Sequence, residues 1–247
     1  MSETLPDLST TPRLHVEGPL AAGAEIIVEG APAHYLVQVM RRQPGDLVRL
    51  FDGTNGEWAA RVVAVAKKSV TLTALRSSAP QETMTDLWLC FAPLKRGRID
   101  WLIEKATELG VARLVPVITR RTIVDKLNAE RLHAHIIEAA EQCGRTAMPV
   151  LAAPRPLAAL LADWPEQRTL YFADESGGTP LASALVPRRP PPPAAFLIGP
   201  EGGFMPEEAL AIRALPAVRR VSLGPRILRA DTAALATLAV WQAMCAQ

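Results

Sequence analysis

F-L-I-G-P-E-G-G-F, Phe196–Phe204, is the stretch on which the reading of the chain turns. Counting Ala195, four apolar residues run straight into Gly199-Pro200-Glu201-Gly202-Gly203, and Met205-Pro206-Glu207-Glu208 follows. A short apolar run ended by glycine and proline reads as a buried strand. Pro206 with two acids behind it reads as the first turn of a helix, its negative charge where the macrodipole favours it. A glycine-rich loop therefore stands between the carboxyl end of a strand and the start of a helix, where open α/β sheets bind ligands. The loop is neither G-x-G-x-x-G nor a Walker P-loop, and it carries a carboxylate, Glu201, where a phosphate cradle wants none. A ligand with hydroxyls or a positive charge suits it better than a polyphosphate. A purely structural turn would use the same glycines, so both readings stand at this point.

Downstream, Arg220–Leu223 reads as another strand, followed by a second loop, Gly224-Pro225-Arg226-Ile227-Leu228-Arg229-Ala230. Asp231-Thr232 are capping residues for a last helix over Ala233–Ala243. That helix is apolar nearly all round, so it is a buried core helix or presents half its surface to a partner chain. Upstream, strand and helix patterns alternate from Leu87 onward. Leu87–Ala92 is a strand, and Ile99, Leu102, Ile103 and Ala106 recur at helical spacing before Gly110. Val111–Thr119 is the next strand, and Asn128 caps a helix through Leu132, Ile136, Ala139 and Cys143 that Gly144 ends. Val150–Ala152, a helix over Pro156–Trp164 and a strand over Leu170–Ala173 follow. This alternation means a parallel, doubly wound sheet. Pro187–Pro193 can be neither helix nor central strand and reads as an extended surface connector.

The chain before Leu87 has a different texture. Leu14–Val16, Ile26–Val28, Leu47–Phe51, Trp58–Val65 and Val70–Leu75 are short strands, with turn signals at Pro44-Gly45-Asp46 and a hairpin signal at Asn55-Gly56. One helix interrupts them, starting at Pro32 with Leu36, Val39 and Met40 on one face and Arg41 and Arg42 closing it. The two arginines serve as C-terminal helix charges or as phosphate contacts. Ser77–Thr85 reads as a linker, so residues 1–78 are expected as a small β-barrel and 84–247 as a separate α/β domain.

Composition narrows the function classes. With 49% hydrophobic residues and a mean hydropathy of +0.13, the 247-residue chain has ample material for a core. Net charge is +2, eight Lys/Arg against eight Asp/Glu before Pro80 and nineteen against seventeen after it, so any nucleic-acid role rests on local patches. Cys90, Cys143 and Cys245 lie far apart and Met1–Thr11 is polar, which points to reduced thiols in a cytoplasmic protein. No run is long enough to span a membrane. His15, His34, His133 and His135 have no metal-ligand spacing, so no metal is expected. No nucleophile elbow or H-E-x-x-H occurs. Lys95-Arg96-Gly97-Arg98, Asp174-Glu175 and the segment Glu141–Arg145 each follow a strand or close a helix, and are expected to converge with the two loops at one sheet edge.

L-I-G-P-E-G-G-F (197–204) and L-G-P-R-I-L-R-A-D-T-A (223–233) resemble the two signature loops of the SPOUT methyltransferases. The match is closest to the bacterial small-subunit ribosomal RNA uracil-N3 methyltransferase family. H-Y-L-V-Q-V-M-R-R-Q-P-G-D (34–46) is similar to that family's amino-terminal PUA-like barrel motif. I-E-K-A-T-E-L-G-V (103–111) and E-A-A-E-Q-C-G-R (138–145) look like its two middle motifs. The resemblance implies an α/β SPOUT domain whose C-terminal segment forms a trefoil knot on a parallel sheet, preceded by a PUA-like barrel. It also implies a homodimer, and S-adenosyl-L-methionine bound in a bent shape by the knot's loops. Carried onto this chain, Leu197, Ile198, Gly199, Pro200, Glu201, Gly202 and Gly203 would hold the cofactor together with Leu223, Gly224, Arg226, Ile227 and Leu228. The second loop of the family usually carries glutamate where this chain has Asp231, one methylene shorter.

The implied substrate is a uridine of 16S ribosomal RNA, as naked RNA or in an assembled 30S particle. Uracil N3 carries a proton in neutral RNA, so the site must stabilise a uracil anion or take the proton. N3 lies on the Watson–Crick edge, and the base must be unpaired or flipped out. Arg229 is expected to stabilise the negative charge, with Glu201 and Asp231 as candidate proton acceptors. Arg13, Arg41, Lys95, Arg98 and Arg145 are the expected RNA contacts. The alternatives are a SPOUT enzyme acting on another base or the ribose, and a non-catalytic RNA-binding assembly factor.

Overall fold

The computed structural model describes residues 8–124, 126–185 and 191–245, so most of the expected Pro187–Pro193 connector lies outside the described residues. The chain forms two compact units, one comprising the chain up to Thr83 with Ala140–Met148, the other Met84–Ala139 with Pro149 onward.

The first unit is a five-stranded sheet built from β1 (Arg13–His15), β2 (Glu25–Glu29), β3 (Leu47–Phe51), β4 (Glu57–Val65) and β5 (Ser69–Ala79), in the order β1-β3-β4-β5-β2. β1 runs parallel to β3, and the other pairs are antiparallel. Alternation sets its faces. In β5, Val70, Leu72 and Ala74 are buried while Ser69, Thr71 and Thr73 are partly exposed, as a period of two requires. Leu14, Val28, Leu50, Val62 and Leu72, one from each strand, meet Ala33 and Leu36 in one core, so the sheet curls around it.

Two features depart from the sequence reading. Helix α1 (Gly30–His34) continues into a single π-helical turn, Tyr35–Val39. The wider turn shifts the side-chain phase: Leu36 is buried, but Val39, expected beside it, is 59% exposed. Further on, β5 runs to Ala79, through residues read as the start of a linker. Ser77 pairs with Trp58, Ala79 pairs with Glu57, and Ser78 Oγ donates to Glu57 Oε1 at 2.9 Å.

Arg13 and Arg145, expected to touch RNA, are interior residues of this unit. The Arg13 guanidinium donates to Glu57 and to the carbonyls of Ala140 and Arg145, and lies 3.9 Å over the Phe51 ring. Each of its nitrogens is engaged. Arg145 is 7% exposed and donates to Glu82 at 3.2 Å. A guanidinium held this way has no face for a phosphate, and both expected contacts are corrected to structural roles that tie residues 140–148 to the sheet.

The second unit follows the βα pattern. Its elements are β6 (Leu87–Phe91), α2 (Arg98–Glu108), β7 (Arg113–Ile118), α3 (Ala129–Cys143), β8 (Val150–Leu151), β9 (Arg155–Pro156), α4 (Leu157–Ala162), β10 (Thr169–Ala173), β11 (Thr179–Pro180), α5 (Leu181–Ala184), β12 (Ala194–Ile198), α6 (Pro206–Ala214), β13 (Val218–Ser222) and α7 (Ala230–Cys245). The sheet order is β11-β13-β10-β12-β6-β7-β8, parallel throughout, with β9 beside β7. Successive strands run outward from β6 to β8, and later ones fill the other side from β12. The order therefore reverses between β6 and β12, a topological switch point.

β12 is buried at every position, as a central parallel strand covered on both faces should be. Ile99, Leu102, Ile103 and Ala106 of α2 are all buried at the spacing expected, and Asn128 Oδ1 accepts from Arg131 N at 2.9 Å as an N-cap. Cys143, expected on the apolar face of α3, is exposed, and Cys90 lies in the core of β6, where burial pushes its thiol up to about 12. Trp241 of α7 packs edge-on against Phe196 at 6.1 Å. α7 starts at Ala230, earlier than expected, so Asp231 and Thr232 lie inside its first turn rather than capping it, and the Ala233 N–H donates to Arg229 O at 2.8 Å.

Candidate active site

The carboxyl ends of β10, β12 and β13 open on one cleft of about 750 Å³, within the range of small-ligand sites. Three segments supply most of its lining. Residues 172–177 lie at the end of β10, the glycine loop follows β12, and residues 221–230 run from the end of β13 through the second loop. The two loops singled out in the sequence are thus side by side, because β12 and β13 both flank β10.

Of the residues expected to hold a cofactor, Ile198, Gly199, Pro200, Glu201, Gly203, Leu223, Gly224, Arg226, Ile227 and Leu228 line the cleft. Leu197 does not; it is fully buried in the sheet core with Phe172 and Ile212. Gly202 is also off the cleft, where its carbonyl accepts from Arg121. Arg229 lines the cleft and is exposed. Asp231 is not among the lining residues and its Oδ1 accepts from Thr232 N at 2.9 Å. Glu201 is ion-paired with Arg98, whose side chain also lines the cleft, so the pair joins the segment after β6 to the glycine loop. Lys95 is exposed and away from the cleft, Arg41 is exposed on the first unit, and Glu141 and Arg145 belong to that unit as well.

Two glycines of the loop stand where its own neighbours leave no room for a side chain. A Cβ on Gly199 would stand 2.6 Å from the Phe204 ring. Gly203 has φ +69, which L side chains rarely adopt, and a Cβ there would meet the Glu175 carboxylate at 3.0 Å. Pro206 starts α6 as expected, and Glu208 fixes the approach to it, accepting from Met205 N at 3.0 Å and from Arg120 N at 2.9 Å.

Sequence reasoning underweighted the segment after β10. Asp174 is almost fully buried and accepts from Arg213 Nε and Arg220 Nε, each at 2.8 Å, and from Ser176 N and Oγ at 2.9 and 2.7 Å. Burial alone would raise its pKa, but the hydrogen bonds from Arg213, Ser176 and Arg220 outweigh it and hold the carboxyl well below the usual carboxylate range. The hub locks the cleft wall at 174–177. Asp174-Glu175 at a strand end was visible as a pair; Arg213, in the last turn of α6, carries no motif that would single it out.

The chain thus combines a parallel sheet that has a switch-point cleft between two glycine/proline loops with a small β unit. Residues 81–242 match the RNA methyltransferase domain and residues 28–75 the RNA methyltransferase PUA domain. The chain belongs to this RNA methyltransferase family. It is 28% identical over 235 residues to ribosomal RNA small subunit methyltransferase E of Rickettsia conorii, covering 92% of this chain and 93% of the relative. It is 31% identical over 220 residues to the protein of that name in Synechocystis sp., covering 87% and 72%. Among solved structures, ribosomal RNA small subunit methyltransferase E from Neisseria gonorrhoeae bound to S-adenosyl methionine is 27% identical and superposes with a TM-score of 0.83, over 95% of this chain and 98% of that one.

Proposed function

We propose that this chain transfers a methyl group from S-adenosyl-L-methionine to N3 of a uridine in small-subunit ribosomal RNA. The observation that carries the proposal is the cleft between the loops at 199–203 and 223–229, in a chain of the RNA methyltransferase family whose structural relative binds that donor. The residues fit such a ligand. The cleft has the volume of a small-ligand site, and it carries both carboxylates and guanidinium groups for a zwitterionic cation. When bound, the donor supplies an electrophilic methyl group on a sulfonium.

The chain's own task is to make uracil N3 nucleophilic and to aim it. Arg229, exposed at the cleft, stabilises the negative charge left when the N3 proton departs. Glu201 is the candidate acceptor for that proton, and its ion pair with Arg98 holds it in place at the cleft. Asp231, off the cleft in the first turn of α7, orients that turn instead of taking the proton. Arg98 contacts RNA at the cleft, Lys95 does so from the exposed segment before α2, off the cleft, and Arg41 does so on the PUA unit. The C-terminal trefoil knot and a homodimer belong to the same proposal. A ribosomal substrate places the protein in the cytoplasm, and no helix among the described residues is long and apolar enough to cross a membrane.

The test is incubation with methyl-labelled donor and small ribosomal subunits from a strain lacking the gene, followed by mass spectrometry of the digested RNA. Label on N3 of uridine is expected. Label on another base or on ribose refutes the uracil assignment, and no label refutes methyl transfer.

A further inference from the structure

Among the charged groups lining the cleft, the carboxylates differ in how they are matched. Glu201 is paired with Arg98, and Asp174 is surrounded by Arg213, Arg220 and Ser176. Glu175 has no hydrogen bond or ion pair to another described residue, yet it lines the same cleft. Its position is set from both sides. The preceding residue is the buried Asp174 hub, the following residue donates its N–H and Oγ to that hub, and Gly177 O accepts from Arg220 at 2.9 Å. Across the cleft wall, its two oxygens stand 3.0 and 3.3 Å from where a Cβ of Gly203 would be. A free carboxylate is thus held against Gly203, one of the places in the glycine loop where a side chain is missing.

We infer that Glu175 selects the ligand by charge, favouring the cationic methyl donor over the thioether that remains after transfer. The inference rests on the proposed donor site and says what that site discriminates. The donor and the spent product share the adenosine, the ammonium and the carboxylate, and differ by the methyl group and the sulfonium charge. Shape alone separates them weakly, since one methyl group in a pocket is worth only a modest factor. Charge reaches further. The Debye length is roughly 8 Å at physiological salt, so a sulfonium bound within that distance of Glu175 feels its carboxylate. Glu201 and Asp174 contribute less to this selection, because their fields are offset by the guanidinium groups on them. The consequence is turnover: loss of the sulfonium charge weakens the hold on the product and frees the cleft.

Isothermal titration calorimetry of the full chain and its Glu175→Gln and Glu175→Asp variants with S-adenosylmethionine and with S-adenosylhomocysteine decides the matter. In Glu175→Gln, the ratio of the product Kd to the donor Kd should fall about five- to tenfold, nearly all of it through weaker donor binding. Glu175→Asp should keep most of the wild-type ratio. The wild-type ratio should also shrink as salt is raised. Equal weakening of both ligands, or an unchanged ratio in Glu175→Gln, overturns the inference while leaving the donor site intact. Failure of the wild-type chain to bind either ligand overturns the donor site itself and this inference with it.

Discussion

Arg229 stands exposed on the second loop at the cleft, and in the proposed function it meets the substrate base rather than the donor. If it stabilises charge that develops only as N3 loses its proton, Arg229→Ala should lower kcat by roughly 10²-fold while changing donor affinity by less than threefold. Equal losses in both would make it a donor-binding residue. Asp174 gives a prediction of a different kind. A carboxyl whose folded-state pKa is depressed adds stability that is fully present above its unfolded value near 4 and is lost as pH falls toward the folded value. Asp174→Asn should therefore be less stable than wild type at pH 7, by about 1–3 kcal/mol given that both arginines are partly exposed. The gap should narrow below about pH 4, as urea unfolding across that range would show; a gap independent of pH would mean that packing, not charge, holds the loop. Neither role was equally legible beforehand. Arg229 stood out because a structural turn has no need of two arginines, whereas Asp174 looked like a solvated strand end until its partners, 39 and 46 residues away, were brought to it.

Elements were legible where one periodicity dominated. Ile99, Leu102, Ile103 and Ala106 announced α2, and the apolar run into Gly199 announced β12, because burial of one face or of both leaves a clear mark in the sequence. Reading failed where the mark fades. The outer half of β5, Arg76-Ser77-Ser78, is polar and exposed, so it looked like a linker although its backbone pairs with β4. The π-helical turn was missed because a pattern of 3.6 residues assumes the turn it is meant to find. The β5 extension makes Gly56 critical. Its φ is +76, and a Cβ there would stand 2.5 Å from the Ala79 carbonyl. Gly56→Ala should cost about 2 kcal/mol, through backbone strain and loss of the β4–β5 end pairing. Thermal melts would register it, and an unchanged Tm would show that β5 ends earlier, near Leu75.

For the whole molecule, α7 is the element whose two faces have different fates. Ala233, Ala234, Thr237, Leu238 and Trp241 are buried within the unit, so the core reading of this helix holds for one face. Ala239 and Ala243 are exposed and Val240 and Met244 only half-buried, an apolar stripe of small residues at helical spacing with no charge along it. Alanine along this stripe lets a second backbone approach closely. We propose that a second copy of the chain does so. A twofold interface is self-complementary, so the stripe would meet its own image and a charge placed in it would face a like charge. Light scattering of the wild type should then give twice 26.6 kDa at micromolar concentration, and Ala239→Glu should give 26.6 kDa with unchanged far-UV circular dichroism. That variant separates assembly from folding, because residue 239 is exposed and its substitution creates no cavity or buried charge in the monomer. A wild-type chain that scatters as a single copy, or an Ala239→Glu chain that still pairs, would return α7 to the role of a core helix with one wet, apolar side.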